Sequence, residues 1–148
     1  MLPLYHIENS SNFTFDISIH EIAGNILPHG HGFLELHYVF EGQGLEKING
    51  VQHEMKPGTF AVIFPHQVHE MYIQSETKVR LYNLCLSART LFGQDESGLV
   101  LNKLLFGIDL NPTTIYDMDA DTSQKIYAIL SEMHAEFGEE KGWKDFML

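Results

Sequence analysis

Four side chains with metal-ligand chemistry stand within nine positions of the stretch PHGHGFLELHYVFEGQG, residues 28–44: His29, His31, Glu35 and His37. Two imidazoles two residues apart, a carboxylate beyond them and the remote imidazole of His69 supply the nitrogen and oxygen donors that a borderline divalent cation takes. Neutral imidazoles also donate to and accept from polar organic molecules. Two chemistries are therefore open. His29, His31, Glu35 and His69 form a candidate metal set, and with His37 and Met71 they form the wall of a candidate organic pocket. His6, His20, His53, His66 and His134 bring the histidines to nine, so a His-x-His pair alone is a weak signal. Glu35 carries more, because a carboxylate flanked by Leu34 and Leu36 costs roughly several kcal/mol to bury unless it is paired.

The positioning elements read as short strands. In ELHYV, alternation puts Glu35, His37 and Val39 on one face and Leu36, Tyr38 and Phe40 on the other. NFTFDISIHEI alternates apolar Phe13, Phe15, Ile17 and Ile19 with polar residues, the period of a half-buried strand. Asn49-Gly50 tolerates the positive backbone dihedrals of a two-residue hairpin, and Pro57-Gly58 marks another turn. TFAVIF, HEMYIQ and KVRLYNLCLS add three more strands, with no long helix between any of them. In the last, Arg80 has the planar fork for a ligand carboxylate or phosphate if it faces inward and is otherwise an edge-strand surface residue. Tyr82 and Asn83 are similar candidates, one on each face.

Beyond Ser87 the pattern changes. LVLNKLLFG reads as a short helix and TTIYDM as one last strand. Asp121-Thr-Ser-Gln124 has the form of a capping box opening a helix over 121–137, which Gly138 ends. Its stripe of Ile126, Leu130, Met133 and Phe137 fits either a two-fold dimer contact or a cover for the strands. EKGWKDFML reads as the opening of a further helix that the chain does not finish. The expected division is a barrel with an N-terminal arm over 1–118 and a helical dimerisation segment over 119–148.

Composition bounds the function. With 148 residues, 44% of them apolar, the chain suits one folded domain. Twenty acidic residues against nine basic ones give a charge of -11, which opposes contact with phosphate backbones. No run is long and apolar enough to span a bilayer and no leader pattern opens the chain, so the expected setting is the cytoplasm. Cys85 is the only cysteine and sits in the apolar run LYNLCL, where it reads as a buried structural thiol.

The spacing His29, His31, Glu35, Gly42, followed by Gly58, Pro65 and His69, resembles the cupin signature; His66 stands where many members have glycine. Within cupins, residues 28–73 are similar to the N-terminal effector-binding domain of AraC-type transcriptional regulators. The resemblance implies a mainly β fold, a cupin-like antiparallel jelly-roll barrel followed by C-terminal α-helices. It also implies a bacterial effector-sensing and dimerisation module without catalytic residues. That module would bind a small molecule such as a sugar or an organic acid, form a homodimer, touch DNA only through a missing C-terminal domain, and use residues 1–12 as a lid. It requires no cofactor, although the same four ligands suit a divalent transition metal (Zn, Ni, Mn or Fe). The second reading is a small metal-dependent cupin enzyme, an isomerase or an oxygenase.

Overall fold

A computed structural model describes residues 5–7, 15–87, 89, 93 and 115–139. The helices expected in LVLNKLLFG and EKGWKDFML lie outside these residues. The elements, in chain order, are β1 (Tyr5–Ile7), β2 (Phe15–Ile22), β3 (Ile26–His31), β4 (Leu34–Gly42), β5 (Gly44–Ile48), β6 (Val51–Met55), β7 (Thr59–Ile63), β8 (Val68–Tyr72), β9 (Val79–Leu86), β10 (Ile115–Asp117) and α1 (Ala120–Glu139).

The strands form two five-stranded sheets, ordered β1-β3-β8-β5-β6 and β10-β7-β4-β9-β2. This corrects the expected closed barrel. No hydrogen-bond ladder joins the two sheets among the described residues, so β1, β6, β10 and β2 remain edges and the architecture is an open sandwich. The expectation of a wholly antiparallel fold is corrected as well, because β1 runs parallel to β3. The plural of helices has support from one helix only, α1, among the described residues.

Local chemistry fixes the turns. Asn49 (φ 48°) and Gly50 (φ 82°) make the β5–β6 hairpin, and Asn49 Oδ1 accepts from the Val68 N–H at 2.9 Å, tying the hairpin to β8. Gly42 (φ 90°) cannot be replaced without cost, because a Cβ there would overlap the Lys78 carbonyl. His66 takes φ 68° and donates its backbone N–H to the His31 carbonyl at 2.8 Å, so the turn keeps a glycine-type conformation with a bulky residue in it.

Alternation on β4, β7, β9 and β2 divides the second sheet into two unlike faces. Ile17, Tyr38, Tyr82 and Leu84 point outward, where Ile126, Leu130, Met133 and Phe137 of α1 cover them. The Tyr38 hydroxyl donates to the Ser123 carbonyl at 2.9 Å and meets Ser123 Oγ at 2.6 Å, which fixes the helix at its first turn. The N-cap is Asp119, whose Oδ1 accepts the Thr122 N–H at 2.8 Å, so α1 begins ahead of the expected capping box and continues past Gly138.

Between the sheets the interior has two halves. Val39, Met55, Met71, Ile73, Val79 and Leu81 pack one half with apolar side chains. The other half is ionisable.

Candidate metal centre

Register brings that ionisable half together. A shift in the β3–β8 ladder between Ile26 and His29 sets His29 opposite His69, and His31 follows two residues later on the same face. On β5, Ile48 pairs with His69, while Glu46 pairs with Met71 on one side and His53 on the other. From the facing sheet, Glu35 stands between Ile63 and Cys85, and His37 between Ala61 and Asn83.

These rows meet at short distances. His31 Nε2 lies 2.9 Å and His69 Nε2 3.3 Å from Glu35 Oε2. Glu35 Oε1 turns the other way, 3.3 Å from His37 Nε2. His37 Nδ1 and His69 Nδ1 lie 3.4 Å and 3.1 Å from Glu46 Oε1, and His53 Nε2 lies 3.2 Å from Glu46 Oε2. His31, His69 and Glu46 are each 1% exposed and Glu35 only 8%, so two carboxylates sit in an interior that tolerates them only when compensated.

The compensation is mutual. Burial alone would raise the Glu35 carboxyl, but the charge of His37, hydrogen bonding from His31 and His37, and the nearby His69 hold it well below its ordinary range. Glu46 is held low in the same way, with burial opposed by His37, His53 and His69. Burial would lower His37, yet Glu35 and Glu46 on either side push it up to about 10. His69 goes the other way, lowered chiefly by burial, and a neutral imidazole is the form that ligates.

Hydrogen bonds orient the donors. His31 Nδ1 lies 2.9 Å from the Phe33 carbonyl, which can only accept, so Nδ1 carries hydrogen and Nε2 is the atom that faces Glu35 Oε2. His69 Nδ1 is 3.1 Å from Glu46 Oε1, an arrangement that sets the tautomer and leaves Nε2, without a hydrogen-bond partner, facing Glu35 Oε2. His31 Nε2 and His69 Nε2 thus converge on Glu35 Oε2, and one ligand atom from each of the three residues lies within 4.8 Å of the others. Only a proton or a cation between them relieves that, and the donor set of two imidazoles and a carboxylate fits a divalent transition metal.

Among the other residues singled out by sequence, His29 donates from Nδ1 to the Leu27 carbonyl at 2.9 Å, and its ring centroid is 4.1 Å from that of His69. It borders the group of three without belonging to it. Met71 is packed into the apolar half. Arg80 is turned outward, 2.8 Å from Glu41 and 5.1 Å above the Phe40 ring. Ile126, Leu130, Met133 and Phe137 lie against the outer face of the sheet. Asn83 faces inward beside His37, with Oδ1 buried and without a hydrogen-bond partner. Cys85 is partly buried, and burial with Glu35 and Asp16 nearby pushes its thiol up to about 12.

Glu46 and His53 were missed. Read as a sequence, LEKINGVQHEM is a polar hairpin whose charges would face water, and only the pairing of β5 with both β6 and β8 turns Glu46 inward. The signal was Ile48, two residues from Glu46 on the same face and 3% exposed.

The expectation of an effector-sensing, non-enzymatic regulator is corrected by this cluster. The face expected to line an effector pocket is instead a buried, ion-paired constellation of metal-ligand type. Two grooves, of about 600 and 580 Å³, are lined by residues including Asn25, Gln43, Tyr72, Gln74 and Thr77, and neither touches His29, His31, Glu35, His37, His69, Met71 or Arg80. The transcription-regulator assignment, which rested on the resemblance of residues 28–73, is corrected by the same cluster. No helix among the described residues is long and apolar enough to cross a membrane, which leaves strand-built spans unaddressed.

Residues 24–148 match the family model described as the AraC-like ligand binding domain. Similar solved structures include a cupin protein from Bacteroides fragilis (19% identity, 57% of this chain and 75% of that one, TM-score 0.48). A Cupin 2 conserved barrel domain protein from Salinispora arenicola is alike at 18% identity, 53% and 68% coverage and TM-score 0.46. A predicted oxalate decarboxylase from Thermotoga maritima is alike at 18%, 48% and 64% coverage and TM-score 0.44. No activity passes from these structures to the chain at such identities. No curated protein matches the sequence.

Proposed function

We propose a metal-centred reading of this chain, which belongs to the AraC-like ligand binding domain family and so to the cupin superfamily: a small metal-dependent cupin enzyme acting on a compact, oxygen-bearing substrate. The observation that carries it is the convergence of His31 Nε2, Glu35 Oε2 and His69 Nε2 in a buried interior with the imidazole tautomers already set. His31, Glu35 and His69 would hold the ion. A divalent ion so held would supply Lewis acidity toward a carbonyl or hydroxyl oxygen, the chemistry common to isomerases and oxygenases of this kind.

The chain's own residues support the rest of the reading. Glu46 holds the His69 ring by its Nδ1–H, so the ligand is oriented before any ion arrives. His37 lies beside Glu35 Oε1 and is placed to hold a proton there. Asn83 Oδ1, buried and unused, accepts from a substrate donor, and burial of the whole group excludes bulk water.

Elemental analysis of protein purified without an affinity tag tests the reading. The expected result is one equivalent or more of a transition metal, reduced by one equivalent in His31→Ala and in Glu35→Gln, with loss of turnover in a screen of small hydroxy and keto compounds. Folded wild-type protein that retains and takes up no transition metal would overturn it.

A further inference from the structure

Buried polar atoms in native proteins almost always find a partner, and an exception points to a missing water or ion. Among the described residues, six buried side-chain nitrogen or oxygen atoms have no hydrogen-bond partner, and five of them belong to one cluster: His37 Nδ1, Glu46 Oε2, both ring nitrogens of His53, and His69 Nε2. The last is explained by the site around Glu35. The other four lie on the far side of His69, around Glu46.

We propose that Glu46, His37 and His69 form a second cation site, joined to the first through the His69 ring. His37 Nδ1, a Glu46 oxygen and a His69 ring nitrogen lie within 4.8 Å of one another, and all three residues are buried. Glu46 Oε1 is 3.4 Å from His37 Nδ1 and 3.1 Å from His69 Nδ1. Donors bound to one tetrahedral ion at about 2.0–2.1 Å stand roughly 3.3–3.4 Å apart, so these atoms already have nearly the needed separation. His53 Nε2, 3.2 Å from Glu46 Oε2, is a fourth donor on the more open side, where its side chain is 11% exposed. His69 then serves both centres: Nε2 faces the Glu35 site, Nδ1 faces the Glu46 site, and the Nδ1 proton leaves to solvent when the second ion binds. The two sites also brace each other, since His37 of the second lies 3.3 Å from Glu35 of the first. The ligand class is a divalent transition metal of the kind that accepts imidazole and carboxylate together.

The inference rests on the proposed metal-centred function, and one titration separates the two. Metal-free, tag-free protein is titrated with Co²⁺, and bound ion is counted. The expected saturation is two equivalents in the wild type, one in Glu46→Gln and one in Glu35→Gln. One equivalent in the wild type, kept in Glu46→Gln and lost in Glu35→Gln, overturns the second site, assigns the unpartnered atoms to water and leaves the proposed function standing. Two equivalents in both wild type and Glu46→Gln also overturn it, because the second ion then sits elsewhere. No bound ion overturns both readings. Should Glu46→Gln fail to fold, the wild-type protein loaded with two equivalents of Cu²⁺ decides. Spins coupled through a shared imidazole give a doubly integrated resonance well below that of two isolated ions, and a full two-spin signal overturns the bridge.

Discussion

His66 shows how a single residue can be retained against its own conformational preference. A left-handed backbone costs a non-glycine residue about 1–2 kcal/mol, and glycine returns part of that through its greater freedom in the unfolded chain. His66→Gly should therefore raise stability by about 0.5–1 kcal/mol in urea unfolding, with the N–H bond to His31 intact. The cluster around His37 gives a pH signature in metal-free protein. Its folded value, about 10, lies above its ordinary 6.5, so its contribution is complete below pH 6.5 and is lost as pH rises through 10. Glu35 and Glu46 are depressed from 4.5, so theirs is present above that value and lost as pH falls through their lower folded values. The urea midpoint of metal-free protein should decline between pH 7 and 10, and in Glu46→Gln the decline should be smaller and level off at lower pH. At this scale the sequence showed what spacing can show. Spacing singles out His31, Glu35 and His69 together, whereas His29, grouped with them on the same spacing, only borders the three. Glu46 and His53 were not legible, since facing inward depends on the pairing of β5 with β8, and the face of Arg80 stayed open because alternation alone does not say which side of the sheet is covered.

Helix α1 and the sheet beneath it behave as one packed layer. Leu130 is 6% exposed against Tyr82 and Leu84, so Leu130→Ala should cost about 3 kcal/mol in equilibrium unfolding while metal stoichiometry stays unchanged. Tyr38→Phe removes the hydroxyl that meets Ser123 and should cost about 1 kcal/mol. Most strands were legible from alternation and from Asn-Gly and Pro-Gly turns, because each signal is local; β1, at three residues too short for a pattern, was not. Closure was not: whether edge strands meet is decided by long-range pairing, and no periodicity encodes it. The capping residue was misplaced for a similar reason, as both Asp119 and Asp121 have capping chemistry and only geometry selects the first.

Among the described residues, two buried carboxylates and their imidazole partners lie between two sheets, and the other half of the interior is apolar. An ion that binds only the folded state adds stability by mass action, about 2.7 kcal/mol at a hundred times its dissociation constant. The unfolding temperature should rise accordingly on adding Zn²⁺ or Mn²⁺ to metal-free wild type, and by less in Glu35→Gln, which keeps only the Glu46 site.

Tyr5–Ile7 runs parallel along the free edge of β3, with Tyr5 level with His29 and Ile7 level with His31. The arm and the proposed ion thus meet on β3 at His31, one through the backbone and one through the imidazole. Two ligands that each order one strand assist each other by the same factor in both directions. Amide hydrogens of residues 5–7 should exchange more slowly once the ion is bound, and a chain lacking residues 1–7 should release its ion faster.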